Sequence, residues 1–259
     1  MRALVTGASS GIGLEFCRQL AAGGYDLVMV SNQPLELQRY AAELRHNHGV
    51  AVTVCEMDLT DATAPQRIAA EVMASGECPA LVVNNAGIFD FKRVSSLPER
   101  RLDMYIDLHV RSVTHMCRTF GELMAGNGGG AILNMSSMSC WMPMPGIAMY
   151  SATKAYIRAF SRAYRIEMKD RGVSVTVACP GGIATGLFGL PPRLRRIGVS
   201  VGALYTPERF VRKALRRVAK GKAQYINGII NRIAIPSVAM LPEWARYKIK
   251  TRLLDRLDK

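Results

Sequence analysis

The chain has 259 residues, 49% of them hydrophobic and 21% charged, which suits one α/β domain and excludes a disordered or fibrous protein. Its six cysteines (Cys17, Cys55, Cys78, Cys117, Cys140 and Cys179) form no CxxC pair, which argues against a zinc ribbon and a secreted disulfide framework and fits a reducing compartment. The formal net charge of +14 is polarised: residues 187–259 carry 17 basic and 4 acidic side chains, whereas residues 1–186 carry 17 and 16. Such a distribution suggests a face that meets something negative.

Met1-Arg2 runs straight into an apolar segment without a signal-peptide pattern, and no apolar run reaches the roughly 20 residues needed to cross a bilayer. The expected location is cytoplasmic, at most peripheral to a membrane. In chain order, strands are expected at Arg2–Thr6, Asp26–Val30, Val50–Glu56, Ala80–Val83, Ala131–Met135 and Val173–Ala178. Helices are expected at Ile12–Ala22, Leu35–His46, Thr60–Ala74, Pro98–Met124 and Ala148–Lys169. Short apolar strands alternating with helices imply a doubly wound parallel sheet of Rossmann type, three layers deep, covered on both faces. One domain is expected over residues 1–230, with a basic extension over 231–259. The segment 184–206, with Pro191-Pro192 and scattered glycines, is expected to be irregular and to act as a lid.

The chemistry-bearing residues sit where such a sheet places its ligands. Gly7, Ser9, Ser10, Gly11, Ile12 and Gly13 link the first strand to the first helix, where glycine lets backbone approach a pyrophosphate at a helix N-terminus. Asn84-Asn85-Ala86-Gly87 ends the fourth strand, and Ser137 follows the fifth. Tyr150 and Lys154 lie at i, i+4 on one helix and share a face, while Pro180-Gly181 ends the sixth strand, with Ile183 and Thr185 behind it.

This ordered set closely resembles the short-chain dehydrogenase/reductase family in its single-domain form, over roughly residues 2–230. The resemblance implies an NAD(P)-dependent oxidoreductase acting on a carbonyl or a secondary alcohol. In it, Tyr150 would be the general acid/base, Lys154 would lower the phenol's pKa and hold the nicotinamide ribose, and Ser137 would donate a hydrogen bond to the reacting oxygen. Asp58-Leu59 would contact adenine, and Asn85, Ala86, Gly87 and Ile183 would line the cofactor. The chain departs from the family at Ile106-Asp107-Leu108-His109-Val110, where His109 replaces an asparagine whose backbone carbonyl holds a relay water. Two roles are open for His109: packing in the asparagine's place, or relaying protons itself.

After the second strand the chain reads Ser31-Asn32-Gln33, with no acid until Glu36. The carboxylate that would bind a free 2′-hydroxyl is missing, so NADP(H) is expected in preference to NAD(H). No arginine ends that strand, so the NADP signature is incomplete as well. Met138, Trp141, Met142, Met144, Ile147 and Met149 crowd between Ser137 and Tyr150, which suits either a large hydrophobic substrate or packing. An amphipathic helix over 208–220 sets Arg209, Arg212, Lys213, Arg216, Arg217 and Lys220 opposite an apolar face, and residues 243–259 add Trp244, Tyr247 and six more cations. This basic end is expected to meet an anionic membrane or an acidic acyl carrier. It has no nucleic-acid recognition motif. No metal site is expected, and the family resemblance implies a homodimer or homotetramer. The competing reading is a non-catalytic dinucleotide-binding sensor or scaffold.

Overall fold

Residues that alternate along the strands divide between two separate apolar cores. In the computed structural model, which describes residues 1–187, 189, 191–202 and 204–255 apart from the Leu253 side chain, the strands are β1 (Arg2–Thr6), β2 (Asp26–Ser31), β3 (Val52–Glu56), β4 (Leu81–Asn84), β5 (Gly130–Met135), β6 (Val173–Ala178) and β7 (Gln224–Tyr225). They form one sheet in the order β3-β2-β1-β4-β5-β6-β7, and every neighbouring pair is parallel. The helices are α1 (Gly11–Ala22), α2 (Pro34–His48), α3 (Ala64–Ala74), α4 (Glu99–Ile106), α5 (Ser112–Gly126), α6 (Ala148–Glu167), α7 (Pro192–Ser200), α8 (Pro207–Ala219), α9 (Ile229–Ala239) and α10 (Glu243–Ile249).

Ala3 and Val5 of β1 join Leu27, Met29 and Val83 on one face, under Phe16 of α1, Leu37 of α2 and Phe210 of α8. Leu4, one residue out of phase, joins Val28, Val82, Ile132 and Val175 on the other, under Ile68 of α3, Phe120 of α5 and Ile157 of α6. Burial on both faces explains why these strands read as continuous apolar runs.

Four expectations need correction. Helix α3 starts at Ala64, not Thr60, because Asp58 and Asp61 accept hydrogen bonds from the amides two residues on (2.9 and 2.8 Å), closing turns ahead of it. The helix expected over 98–124 is α4 and α5 joined by a π-helical turn at Asp107–Arg111, centred on His109. Segment 184–206 is not wholly irregular: Pro192 opens α7, where its missing N–H costs nothing. Strand β7, only two residues long, leaves no periodicity to read. Phe188, Leu190 and Ala203 of the expected lid, and Arg256 and Lys259 of the basic tail, lie outside the described residues.

Candidate active site

The chain leaves β1 towards β2 and returns at β4, so β1 and β4 lie side by side while their connections diverge. A crevice opens at their carboxyl ends. Thr6 fixes its floor: its hydroxyl oxygen accepts from the Asn85 and Ala86 amides (2.9 and 3.0 Å), and Asn85 Nδ2 donates to the Thr6 carbonyl (3.0 Å). Gly7 turns there at φ +64°, which side-chain-bearing residues rarely adopt. Gly13 is excluded from change by space, since a Cβ would stand 2.0 Å from the Gly7 carbonyl oxygen and 2.5 Å from Asn85 Nδ2. The glycines therefore let loop and helix close on each other, leaving the N-terminal amides of α1 facing the crevice.

At one end of the crevice, Ser9 Oγ lies 2.9 Å from Ser31 Oγ and donates to Gln33 Oε1 (2.8 Å), and the Gln33 amide donates to Ser31 Oγ (3.2 Å). Asn32 lies beside them, and Asp58-Leu59 forms the adjoining wall. The described lining residues at this end include no Lys or Arg, and Asp58 is their one acid.

The other end holds Tyr150 and Lys154, both buried. Lys154 Nζ donates to the Met135 carbonyl (2.9 Å) and lies 5.7 Å from the Tyr150 ring centre. The Ser136 hydroxyl donates to the Lys154 carbonyl (2.7 Å), tying β5 to α6. Ser137 Oγ accepts from the Ser139 amide (3.2 Å), and the Ser137 side chain acts to lower the pKa of Tyr150. Burial dominates the protonation of this group. It pushes the Tyr150 phenol up to about 12, against the lowering effect of Ser137, and pushes the Lys154 ammonium down to about 8. In a site this dry both groups shift towards their neutral forms, burial outweighing the other influences on Tyr150.

His109 is fully buried, with each ring nitrogen occupied. The Ile88 amide donates to Nε2 (3.0 Å), so Nε2 carries no proton, and Nδ1 faces Thr153 Oγ1 at 2.9 Å. Thr153 in turn reaches the Met149 and Tyr150 carbonyls (2.9 and 3.1 Å). The chain of donors fits only the neutral Nδ1–H tautomer. Burial, then the charges of Lys154 and Arg101, hold the ring's pKa well below its ordinary value. Gly87 passes beside this ring, where a Cβ would stand 2.9 Å from Nε2 and 3.4 Å from Lys154 Nζ.

A cleft of about 540 Å³ joins the two ends. It brings together Gly7, Ser9, Ser10, Gly11, Ile12, Ser31, Asn32, Asp58, Leu59, Asn85, Ala86, Gly87, Tyr150, Lys154, Pro180 and Thr185. Gly13, His109, Ser137, Gly181 and Ile183 do not line it. Gly13 and His109 pack behind the loops, and the Gly181 amide donates to Asn227 Oδ1 (2.7 Å). Nor does any residue of the methionine-rich segment line it: Trp141 packs on the core with Arg158 over its ring (4.4 Å). The apolar wall comes instead from Ile88, Met104, Leu108, Met135 and Leu187, which sequence reasoning missed. Only Met135 and Ile88 had a signal, as neighbours of the Ser137 and Asn85-Gly87 motifs.

The cleft suits a dinucleotide, because the space that glycine vacates at Gly7 and Gly13 and the α1 amides adjoin it. Comparison with known proteins agrees. A family model described as short chain dehydrogenase matches residues 1–190. The chain is 35% identical over 184 residues to the probable oxidoreductase EphD of Mycobacterium tuberculosis (strain ATCC 25618 / H37Rv), covering 71% of this chain but only 31% of that longer protein. It is 30% identical over 258 residues to the very-long-chain 3-oxoacyl-CoA reductase of Bos taurus, covering 95% of this chain and 77% of that one. The alcohol dehydrogenase of Thermococcus sibiricus, solved with 5-hydroxy-NADP, superposes with a TM-score of 0.76 at 26% identity, covering 93% of this chain and 98% of its own. The chain belongs to the short-chain dehydrogenase family.

Proposed function

We propose that the chain is an NADP(H)-dependent reductase of hydrophobic carbonyl compounds, able to run in reverse on secondary alcohols. The observation that carries this reading is the buried pair Tyr150 and Lys154, with Ser137 behind them, at one end of a cleft whose other end is the glycine loop. Gly7, Ser9, Ser10, Gly11 and Ile12 would hold the pyrophosphate and its neighbours, and Asp58 and Leu59 the adenine side. Ser31, Asn32 and Gln33 offer small donors for a 2′-phosphate and no carboxylate to repel it. When bound, the nicotinamide supplies or accepts the hydride.

The chain's own residues handle the proton. Tyr150 donates its hydroxyl proton to the substrate oxygen, a role suited to a phenol kept protonated by burial. Ser137 donates a hydrogen bond to the same oxygen as charge develops there. Lys154 binds the ribose hydroxyls, and its cation offsets the phenolate left behind. His109 is a positioning residue: it pins Ile88 on one side and α6, through Thr153, on the other. Ile88, Met104, Leu108 and Leu187 exclude water and accept an apolar substrate. The bovine relative's very-long-chain acyl substrate supports this class. Copies of the chain would pair through α5 and α6, where Tyr156, Phe160 and Tyr164 stack along α6.

The test is NADPH oxidation with a panel of bulky ketones, comparing the parent with Tyr150→Phe. Turnover should fall by about a hundredfold or more in the variant while NADPH still binds. Equal turnover in both would remove Tyr150 from the mechanism.

A further inference from the structure

The basic end of the chain has two surfaces of different character. On α8 the apolar residues Phe210, Val211 and Ala214 are buried against the sheet, so the helix has no exposed apolar face of its own beside its row of cations. Two of those cations, Arg209 and Lys213, lie over the Tyr205 ring (4.4 and 5.6 Å).

The other surface is apolar and uncovered. Helix α7 exposes Leu194 and Ile197, one turn apart, and Val201 just past its end is exposed as well. Helix α9 exposes Ile229 (75%) and Ile233, one turn apart, and Met240 (82%) just past its end is exposed as well. Helix α10 exposes Trp244 (65%) and Tyr247, one turn apart. A soluble surface seldom leaves so many large apolar side chains open in so short a stretch.

Helix α7 follows the cleft wall in sequence, α9 reaches the loop after β6, and α10 is tied to α9. Gly186 and Leu187 line the cleft and lead into α7. Asn231 of α9 fills the space beside Gly181, where a Cβ would meet it at 2.2 Å. Arg246 of α10 donates to the Ala239 carbonyl (2.8 Å), tying α10 to α9. Cations accompany the apolar groups: residues 191–202 and 229–255 hold eight Lys or Arg and only two acids, Glu243 and Asp255. Asp255 is already paired with Arg93 and Lys250. Lys248 lies 5.1 Å from the Trp244 ring centre, an aromatic beside a cation as at a headgroup boundary. Among the described residues no helix is long and apolar enough to cross a membrane.

We propose that α7, α9 and α10 seat in the interfacial layer of an anionic membrane, with the cleft beside them taking its carbonyl substrate from the bilayer. The choice of substrate rests on the reductase reading above. The attachment does not. Apolar side chains enter the acyl boundary while the surrounding cations meet lipid phosphates. The charge complementarity argues for lipid over a second copy, which would bring the same cations face to face.

Flotation with phosphatidylcholine vesicles, with and without phosphatidylglycerol, tests the attachment without cofactor or substrate. Binding should require phosphatidylglycerol and weaken as salt shortens the screening length, about 10 Å at 0.1 M. Trp244 emission should shift to the blue on binding in a Trp141→Phe protein, where it is the remaining tryptophan. Combined Ile229→Ser, Ile233→Ser and Met240→Ser should lower vesicle affinity at least about tenfold. The same variant should keep its turnover of a water-soluble ketone, which shows that it is folded. Combined Arg212→Gln, Lys213→Gln, Arg216→Gln and Arg217→Gln on α8 should weaken binding far less than the apolar changes. No vesicle binding, an unshifted Trp244, or an apolar variant that changes only the oligomeric state would overturn the proposal. A protein that binds vesicles but reduces no ketone would instead keep the attachment and remove the reductase reading.

Discussion

Residues 1–187 and the stretch from α7 onward obey different rules. In the first, the apolar faces of the strands and helices pack into two cores, and the charges nearly balance. In the second, α7, α9 and α10 have no residue that is buried throughout the element, and nearly all of the excess charge lies here. The contrast separates what holds a site together from what presents it. The sheet and the helices packed on it hold Gly13, Tyr150 and Lys154 in place. Helices α7, α9 and α10 leave large apolar side chains exposed.

The largest effect that can sharpen this comparison lies in the first region. Gly13→Ala places a methyl carbon 2.0 Å from the Gly7 carbonyl, so the loop must move. NADPH binding should be lost, as titration of cofactor fluorescence will show, while an alanine at exposed Gly126, with open space around it, should bind normally.

The next effect is on pH. Lys154 is pushed down to about 8 by burial, so its cation is present below that value and is lost as pH rises through it. NADPH affinity should therefore fall as pH rises through about 8, with proton uptake on binding above that value, where the free Lys154 is neutral, and calorimetry at several pH values reads both. His109 stays neutral across this range and should add no acid limb.

Smaller still is the change at Asn32. Asn32→Asp restores the missing carboxylate, and the ratio of NADPH to NADH affinity should drop by about tenfold, or ~1.4 kcal/mol. The smallest effect on turnover belongs to His109→Asn. Both ring nitrogens hold structural partners, so turnover should change by less than about threefold while stability falls by about 1–2 kcal/mol, read as a lower denaturant midpoint. A tenfold loss of turnover at unchanged stability would give the imidazole a direct part in proton transfer.

Most of the first region was legible in the sequence because its signals are local. The glycine loop, Asn85-Gly87 and the Tyr150–Lys154 pair each lie within a few residues on one element, and the strand alternation set the faces. What was not legible depends on contacts distant in sequence. The π turn at Asp107–Arg111 follows from His109 reaching Ile88 and Thr153, 21 and 44 residues away. The raised pKa of Tyr150 follows from burial, which Tyr-x-x-x-Lys spacing does not reveal. The apolar wall of Met104, Leu108 and Leu187 is assembled from separate elements, whereas the conspicuous methionines at 138–149 do not line it.

The central claim is that Tyr150, Lys154 and Ser137 direct hydride and proton to one carbonyl. The direct measurement supplies NADPH deuterated at the transferable position, with a bulky aromatic ketone, and reads the product by mass spectrometry. The account predicts a secondary alcohol carrying a single deuterium on its carbinol carbon from the parent, and unreduced ketone from Tyr150→Phe. An alcohol formed without the label, or labelled alcohol formed equally well by Tyr150→Phe, would contradict it.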